Sequence, residues 1–422
     1  MAGFLKGLFG SKKVIVKEKP PYYDIVCPFC FEKYHPDEVV FRAAHHREDD
    51  EDYALAEDDV LNRYRKRFGL GTFDELEAVI PPDTIPEENK LYAGRVLVGI
   101  TDRYNIVSRR RLCPKCHNDL PLTVGKTPSN IISIIGPSQV GKSVYMTSLI
   151  HTLEHTTAGN FDAACMPINT EISRKYRDQY EEPLFEQGNV LRSTQVSEVQ
   201  EPLIFQFTFK DESKDPLTLV FFDVAGEGMT DRAYMEMRAS HVKNSTGMLL
   251  LIDPLQIKTI RDRIKINVGE KPGDFTDRHD SPREVIINLF DSFIGHQGGK
   301  TNIPTAIVLT KSDMLHFLKE EDGEYIRSNS NVFHNMVHAK TFNVAEFENI
   351  NGEIRRFIEK VDRPLKGAID VNFSDTAYFA VSALGSNPVD LKVKGVISPI
   401  RVDEPFLWLL YRLGYIEGKE GA

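Results

Sequence analysis

The stretch Gly136-Pro137-Ser138-Gln139-Val140-Gly141-Lys142-Ser143 decides the fold of this chain, because it matches the pattern G-x-x-x-x-G-K-[ST] of a phosphate-binding loop. The preceding residues 131–135 are mostly β-branched and apolar, which predicts a buried strand, and residues 144–153 predict a helix. Strand, glycine-rich loop and helix are the context that this motif requires. The stretch therefore predicts a nucleotide-binding α/β domain.

The residue types of the loop indicate its chemistry. Glycines allow backbone N–H groups to surround a phosphate, and the positive end of the new helix faces the anion. We expect Lys142 to reach the β- and γ-phosphates and the Ser143 hydroxyl to bind Mg²⁺. An ordinary glycine turn is the alternative, and the flanking pattern argues against it. The expected phosphate-binding residues are Gly136, Pro137, Ser138, Gln139, Val140, Gly141, Lys142, Ser143 and Val144.

Composition limits the classes of protein to consider. The chain has 422 residues, 41% hydrophobic and 27% charged, as in a globular protein large enough for two domains. Its net charge of −10 argues against general nucleic-acid binding, which needs a basic surface. We expect no nucleic-acid partner. No apolar run approaches the roughly 18 residues of a membrane span, and no secretory signal is evident, so we expect a cytoplasmic protein.

Two C-P-x-C units, residues 27–30 and 113–116, contain four of the five cysteines. Each unit is a tight knuckle that directs two thiolates to one point, and two knuckles complete a tetrahedral site. Redox-active cysteine pairs are the alternative, and His117 is the neighbouring residue that could replace a cysteine ligand. Four thiolates leave no open position for catalysis, so we expect structural Zn²⁺. Its ligands would be Cys27, Cys30, Cys113 and Cys116.

The separation of the two knuckles implies an insertion at residues 31–112 whose ends the metal holds together. It contains an acidic run at 48–52, a predicted helix at 54–68 and a predicted hairpin of strands 96–100 and 104–107. Arg109-Arg110-Arg111 follows, either as a site for an acidic partner or as a solvated turn.

We expect three parts in the chain. Residues 1–20 would form a flexible basic and apolar tip, residues 21–126 a zinc-ribbon-like domain, and residues 127–422 the nucleotide-binding domain. Within the tip, we expect residues 3–13 to be a frayed terminus, and contact of a short helix with a membrane surface is the less favoured alternative.

From residue 131 onward strand-like and helix-like segments alternate. Residues 203–209 show period-2 alternation, and a polar turn joins them to a second predicted strand at 217–222 as a hairpin. The chain ends in a predicted helix at 406–416 with Asp403 as its N-cap. We expect an α/β fold with a mostly parallel sheet, one antiparallel edge hairpin and helices on both faces. Further strands are predicted at 248–252, 305–310 and 378–381.

A second phosphate motif, Asp223-Val224-Ala225-Gly226-Glu227, follows the strand predicted at 217–222. An acidic residue at this strand end can hold Mg²⁺, which we expect of Asp223. Gly226 leaves room for its backbone N–H to meet a γ-phosphate.

Two further motifs follow predicted strands, Thr310-Lys311-Ser312-Asp313 and Ser382-Ala383-Leu384. Together with the loop at 136–143 and the motif at 223–226, their order resembles the four nucleotide motifs of Ras-like GTPases of the translation-factor-related class. The resemblance covers about residues 129–416. It implies a P-loop GTPase that binds GTP or GDP with Mg²⁺.

The resemblance also implies roles in guanine recognition. Asp313 would accept two hydrogen bonds from the base, Lys311 would lie over its plane, and Thr310 stands where Asn is commoner. Ser382, Ala383 and Leu384 would offer backbone N–H groups to the guanine O6.

Three features depart from a minimal GTPase. No motif marks the switch I threonine, so Thr194 is chosen as the only threonine between Thr170 and Thr208, and it would also bind Mg²⁺. Within the same first departure, Arg192 could act as an internal arginine finger, with an ordinary surface arginine as the alternative.

The second departure is Glu227, which stands where Gln is common. Its charge would repel the γ-phosphate, so we expect slow hydrolysis. Long segments after Asp253 and Asp313 are the third departure. The expected catalytic residues are Lys142, Thr194, Glu227 and Arg192.

A zinc unit ahead of such a domain also resembles the double-GTPase proteins of bacterial conflict and signalling gene clusters. The resulting hypothesis is a GTP-dependent molecular switch. Its partner, an effector or a cluster-encoded protein, would dock through the switch segments and the zinc unit. A P-loop ATPase and a nucleotide-stabilised scaffold with little hydrolysis are the alternatives.

Overall fold

The computed structural model describes residues 20–137, 139–191, 201–221, 240–268, 281–291, 299–318, 326–388, 392–393 and 395–420. Within these ranges, no helix is both long and apolar enough to cross a bilayer.

The part before residue 127 is built from short antiparallel strands and one helix. Three small sheets form, in the orders β1-β2, β4-β3-β8 and β5-β6-β7. These elements are β1 (Ile25–Val26), β2 (Lys33–Tyr34), β3 (Val40–Arg42), α1 (Asp59–Arg67), β4 (Val79–Ile80), β5 (Lys90–Ala93), β6 (Val96–Thr101), β7 (Val107–Ser108) and β8 (Arg111–Leu112).

The helix α1 is shorter than the predicted segment 54–68. It begins at Asp59 because the Asp58 carboxylate caps it, accepting hydrogen bonds from the N–H groups of Val60 at 3.1 Å and Leu61 at 3.0 Å. Burial alone would raise the pKa of Asp58, but the hydrogen bonds from His117, the Leu61 N–H and Arg42 hold it well below its usual range.

The predicted hairpin forms, but its second strand lies later than expected. β7 spans Val107–Ser108 and pairs antiparallel with β6. The intervening turn is longer because the Asp102 carboxylate accepts hydrogen bonds from the N–H groups of Tyr104 at 2.9 Å and Ile106 at 3.0 Å.

The nucleotide-binding part contains a four-stranded parallel sheet with the order β16-β14-β13-β9. Its strands are buried almost throughout, as expected where both faces of a parallel sheet are covered. They are β9 (Ile132–Ile135), β13 (Gly247–Ile252), β14 (Thr305–Leu309) and β16 (Thr376–Ala380).

A three-stranded antiparallel sheet lies next to it, in the order β10 (Ala163–Pro167), β11 (Leu203–Phe209), β12 (Leu217–Phe221). The predicted hairpin of β11 and β12 is confirmed, and β12 lies beside β9. The sequence did not predict β10, because its alanines have low strand propensity and it ends in proline. Both are tolerated at a sheet edge.

Side chains of the parallel strands alternate between two hydrophobic layers. One layer joins residues such as Leu249 and Leu251 to helices on one face, and the other joins Met248 and Leu250 to helices on the opposite face. The first face carries α2 (Lys142–Thr152) and α9 (Glu404–Arg412). The second carries α5 (Lys258–Val268), α6 (Pro282–Leu289), α7 (Val344–Val361) and α8 (Arg363–Asn372). The expected fold class is confirmed.

Besides several short 3₁₀ helices, the described residues form a few further elements. They are a π-helical segment (Leu153–Thr157) that continues α2, α3 (Ala158–Asn160), α4 (Thr170–Tyr176), a second π-helical segment (Arg177–Glu186), and the parallel pair β15 (Thr341–Asn343) and β17 (Glu417–Lys419).

The last helix, α9, ends earlier than predicted, and Asp403 does not cap it as expected. Asp403 occupies the N-cap position, but its side chain makes no capping hydrogen bond. Instead its carboxylate accepts a hydrogen bond from the Thr157 hydroxyl at 2.7 Å, which ties α9 to the π-helical segment after α2.

The two parts share a hydrophobic core. Ile131, Ile204 and Val220 of the nucleotide-binding part pack into the cluster that surrounds the cysteines. The Val26 N–H donates to the Ser129 hydroxyl at 3.1 Å across the same boundary. Residues 21–126, which we call the zinc unit after the ion that their four cysteines are expected to bind, therefore pack against the hairpin β11–β12 and the start of β9.

Candidate nucleotide site and cysteine cluster

The phosphate-binding loop runs from the end of β9 to the start of α2. A Cβ at Gly136 would lie 2.9 Å from Val140 Cγ1 and 3.1 Å from the carbonyl oxygen of Leu251, so only glycine fits there. Gly141 has a φ of +86° and Gln139 a φ of +59°, which turn the chain sharply into the helix. The loop is thus packed closely against β13 and curls at the N-terminus of α2, the arrangement that phosphate binding uses. Ser138 lies outside the described residues.

A positive charge lies inside this loop. Lys142 is buried, and its ammonium donates to the carbonyl oxygens of Gly136 at 3.2 Å and Pro137 at 3.0 Å. Ser143 follows it in the first turn of α2. Both residues therefore lie at the N-terminus of the helix that follows the loop, and their roles toward phosphate and Mg²⁺ stay predictions.

The T-K-x-D segment lies against the phosphate-binding loop. The Thr310 hydroxyl donates to the carbonyl oxygens of Val140 at 3.0 Å and Ile252 at 3.2 Å. Lys311 has a left-handed backbone with a φ of 49°, and its ammonium forms an ion pair with Asp253 at the end of β13. The hydroxyl of Thr310 thus connects the T-K-x-D segment to the phosphate-binding loop.

Asp313 lies at the start of a short 3₁₀ helix (Ser312–Phe317). Its Oδ1 atom accepts a hydrogen bond from the Ser382 hydroxyl at 2.6 Å. Burial raises the pKa of Asp313, although the Ser382 hydrogen bond and the nearby Lys311 charge act in the opposite direction. The structure therefore brings Asp313 and Ser382 together.

The loop at 382–384 is fixed by its own backbone contacts. The Ser382 N–H donates to Ile400 O at 3.0 Å, and the carbonyl oxygens of Ala383 and Leu384 accept hydrogen bonds from the Ser148 hydroxyl at 2.8 Å and the Ser398 N–H at 3.1 Å. Leu384 belongs to a small apolar cluster that the half-buried Val144 also contacts. All the described nucleotide motifs thus meet at the carboxyl ends of the parallel strands, where open α/β sheets bind ligands.

Two supporting residues of this site were not assigned by sequence reasoning. For Asp253 the available signal was its position, because an acidic residue directly after a buried strand marks the ligand-binding edge of the sheet. Gly385 has a φ of +78°, and a Cβ there would overlap the carbonyl oxygen of Ser398, so glycine is required. A glycine directly after S-A-L was the available signal.

Several predicted residues lie outside the described part of the chain. These are Arg192, Thr194, Asp223, Gly226 and Glu227. Their roles at the γ-phosphate and Mg²⁺ stay predictions.

The four cysteines of the two knuckles form one cluster. The sulfur atoms of Cys27 and Cys116 lie 3.8 Å apart and those of Cys30 and Cys113 lie 3.7 Å apart. With Zn–S bonds of about 2.3 Å, tetrahedral geometry places two sulfurs about 3.8 Å apart, so the cluster fits Zn²⁺. None of these cysteines is in a disulfide. Among the described residues the cluster consists of the four cysteines without His117, whose Nδ1 atom lies 2.8 Å from the Asp58 carboxylate.

The two knuckles have the same backbone structure. In each, the residue after the second cysteine donates its N–H to the carbonyl of the first cysteine at 2.9 Å, as Phe31 does to Cys27 and His117 to Cys113. Both residues adopt a left-handed backbone, with φ values of 63° and 54°. A non-glycine residue is costly in this conformation, so the repeated turn indicates that it serves the convergence of the four sulfurs.

Comparison with known proteins agrees with this geometry. Residues 130–357, just over half of the chain, match the family model described as Double-GTPase 2. The chain belongs to the Double-GTPase 2 family. As a member of this family it is a GTP-binding P-loop protein.

One curated relative comes from Mycolicibacterium smegmatis and is named as a proposed ESX-1 scaffolding and assembly protein, SaeC. It is 26% identical over 326 residues, which cover 72% of this chain and 80% of the relative.

Two solved structures are also similar. The Arl6 BBS3 small GTPase from Trypanosoma brucei with bound GppNp is 12% identical, covers 68% of this chain and 99% of that one, and gives a TM-score of 0.27. Translation elongation factor SelB from Methanococcus maripaludis in complex with GppNHp is 12% identical and covers 68% of this chain and 34% of that one, with a TM-score of 0.25.

Proposed function

We propose that this member of the Double-GTPase 2 family is a molecular switch that binds GTP and hydrolyses it slowly to GDP and phosphate. The observation that carries the proposal is the direct contact between the T-K-x-D segment and the phosphate-binding loop, through the hydrogen bond from the Thr310 hydroxyl to the carbonyl oxygen of Val140. Because of this contact, a nucleotide on the loop would place its base beside Lys311 and Asp313.

Guanine selection rests on Asp313 in this proposal. Its carboxylate would accept hydrogen bonds from guanine N1 and N2, which adenine cannot supply. The Ser382 hydrogen bond holds one carboxylate oxygen in place. Since the Ser382 N–H already donates to Ile400, we assign contact with the guanine O6 to the backbone N–H groups of Ala383 and Leu384.

At the phosphates, the proposed ligands of Mg²⁺ are Ser143, Thr194 and Asp223. Lys142 would neutralise charge on the β- and γ-phosphates, and Gly226 would donate its N–H to the γ-phosphate. Glu227 would orient the attacking water but repel the γ-phosphate, which is why we propose slow hydrolysis, with Arg192 as a candidate for an internal arginine finger. Bound Mg²⁺ supplies charge neutralisation at the phosphates.

The zinc unit is proposed to be a structural and positioning module. Four thiolates saturate Zn²⁺, so the ion would hold residues 21–126 together without taking part in hydrolysis. We propose the same division of the chain as above, with a tip at 1–20 and the GTPase domain at 127–422.

Contacts between this unit and the GTPase domain support a role in signal transmission. The Tyr64 hydroxyl lies 3.4 Å from a carboxylate oxygen of Glu201, and the Asn244 side-chain amide donates to the carbonyl oxygen of Phe31 at 3.0 Å. Glu201 follows the segment that contains Thr194, and Asn244 follows the segment that contains Asp223 and Glu227. We propose that a nucleotide-dependent change in these two switch segments reaches the zinc unit through these contacts.

For the partner, we propose a protein encoded in the same gene cluster, or another effector, in a cytoplasmic assembly. The name of the mycobacterial relative supports an assembly or scaffolding role. The same name favours a second candidate function, a nucleotide-stabilised scaffold that hardly hydrolyses GTP.

Calorimetry with GTP, GDP and ATP in the presence of Mg²⁺, on the wild type and Asp313→Asn, tests the proposal. We expect the wild type to prefer GTP and GDP, and Asp313→Asn to lose that preference. If ATP bound as tightly as GTP, and Asp313→Asn left this affinity unchanged, the proposed guanine site would be rejected.

Hydrolysis is tested separately by phosphate release. Release of many phosphates per second without a partner would contradict slow hydrolysis. No release above that of Lys142→Ala would favour the scaffold.

A further inference from the structure

The π-helical segment after α2 and the π-helical segment after α4 meet at a cluster of potential metal ligands. His151, His155 and Glu181 each contribute one ligand atom, and these atoms all lie within 4.8 Å of one another. We propose that this cluster is a second metal site, which would bind a divalent transition metal such as Zn²⁺ and is separate from the four-cysteine cluster.

The sequence around the two histidines has metal-ligand spacing. Residues 151–155 read His-Thr-Leu-Glu-His, so the imidazoles stand four positions apart, and two histidines at this spacing on one helical face can bind one Zn²⁺. In the structure the two rings are side by side, with centroids 4.2 Å apart. The helix therefore presents both imidazoles on one face.

The contacts of the two rings indicate which nitrogen of each would face the ion. His155 Nδ1 lies 2.9 Å from the carbonyl oxygen of His151, which can only accept, so the proton is on Nδ1. In His155, Nε2 then carries the lone pair, and metal-bound histidines commonly make this kind of hydrogen bond through their other nitrogen. His151 Nδ1 lies 2.8 Å from a carboxylate oxygen of Glu181, so these two atoms face each other, and an ion that replaces the proton between them would be bound by both.

The spacing of the ligand atoms is close to that around an ion. Ligand atoms around tetrahedral Zn²⁺ with bonds of about 2.0–2.1 Å lie about 3.4 Å apart. In the cluster they lie within 4.8 Å of one another, and His151 Nδ1 is 2.8 Å from the Glu181 carboxylate, so small side-chain rotations would bring them to this spacing. His155 is exposed, and His151 and Glu181 are half-buried, so the ligands are accessible to solvent. The ring of Phe185 stacks on His151 with centroids 3.8 Å apart and fixes its orientation.

The elements that supply the ligands indicate what metal binding would do. His151 is on the helix that starts at the phosphate-binding loop, and Glu181 is on the segment that leads toward residues 192–200. A bound ion would link these two elements, and so would restrain the start of the segment in which Thr194 lies. This consequence rests on the proposed switch, whereas metal binding itself does not.

Zinc titration of the full chain tests the site. Protein that carries one zinc in the cysteine cluster is titrated with Zn²⁺ by calorimetry, and the metal content is counted by elemental analysis. We expect the wild type to bind one further equivalent. His155→Ala should weaken this binding at least about tenfold, and Glu181→Gln should weaken it by a similar factor.

His334→Ala, which removes an exposed histidine elsewhere in the GTPase domain, is the matched control and should bind like the wild type. If the wild type bound no second equivalent of Zn²⁺, or if His155→Ala and His334→Ala bound Zn²⁺ with equal affinity, the proposal would be overturned. The three residues would then form only a stacked histidine pair and one ion pair. GTP binding measured on the same variants distinguishes the two proposals, because a failed guanine site would leave the zinc result unchanged.

Discussion

The Ser382 hydroxyl donates a hydrogen bond of 2.6 Å to the Oδ1 atom of Asp313, and so connects the loop after β16 to the loop after β14. These two loops carry the proposed guanine contacts, and they lie far apart in the sequence. A carboxylate that must accept two hydrogen bonds from a base benefits from being held in one orientation. Ser382 is therefore a positioning residue for Asp313.

We expect Ser382→Ala to weaken GTP binding about fivefold, because loss of one hydrogen bond of this kind costs about 1 kcal/mol. Calorimetric titration with GTP measures this effect, and binding of free pyrophosphate should not change because the phosphate-binding loop is intact. An unchanged GTP affinity would show that Asp313 does not depend on this hydroxyl.

Asp313→Asn should make the nucleotide-free protein more stable at neutral pH while it removes guanine selectivity. Burial raises the pKa of the folded Asp313 above its unfolded value, so the ionised carboxylate costs stability above the folded pKa and costs none below the unfolded pKa. The gain in Tm from Asn should therefore be present at pH 7 and shrink toward acid pH. Thermal unfolding of both proteins across this range measures the difference. A lower Tm for Asp313→Asn at pH 7 would contradict the expectation.

Gly385→Ala should destabilise the protein by at least about 1–2 kcal/mol, because alanine disfavours the φ of +78° and its Cβ would overlap Ser398 O. Urea unfolding measures the change. Gly367→Ala is the matched control, since Gly367 is exposed in α8 with no atom within 4 Å of a new Cβ. There alanine should stabilise by about 0.5–1 kcal/mol. Equal effects at the two glycines would refute the steric argument.

The parts of the fold that the sequence predicted well are those with local signals. The strand before Gly136, the alternation of residues 203–209 and the cysteine knuckles each carry their pattern within a few residues. Long-range relationships were not predictable. Asp403 had the residue type of an N-cap, but its carboxylate found Thr157 instead, and the ion pair of Asp253 with Lys311 joins two strand ends that only the folded sheet brings together.

The same distinction holds for the candidate site. The order of the motifs placed the loop at 136–143 and the segment at 310–313 at one edge of the sheet, because carboxyl ends of parallel strands meet there. The support from Ser148, Ile400 and Ser398 depends on how the chain after residue 384 folds back, which no local pattern records.

Cys113→Ser should abolish tight zinc binding and unfold the zinc unit. The cluster fits one tetrahedral ion, and its thiolates are surrounded by the buried aromatic residues of this unit, such as Phe29 and Phe41. Elemental analysis after dialysis should find one zinc per chain in the wild type and none in Cys113→Ser, with a loss of near-UV circular dichroism. Cys165→Ala is the control, because Cys165 lies outside the cluster and should keep the zinc. Retention of zinc by Cys113→Ser would exclude a four-thiolate site.

Transmission from the switch segments to the zinc unit is tested at the contact between Tyr64 and Glu201. Both side chains are buried, and the hydroxyl oxygen of Tyr64 lies 3.4 Å from Glu201 Oε1. If Glu201 moves with the nucleotide state, hydrogen exchange of α1 should differ between the GTP and GDP complexes.

Tyr64→Phe should reduce the difference in hydrogen-exchange protection of α1 between the two complexes by a factor of up to about five. The substitution removes a hydrogen bond worth at most about 1 kcal/mol and keeps the aromatic ring. Tyr92→Phe is the matched control, because its hydroxyl donates at 2.8 Å to Glu87 at the exposed surface of the same unit. Identical exchange of α1 in the two nucleotide states of the wild type would separate the zinc unit from the switch. The cysteine cluster would then serve only the stability of residues 21–126.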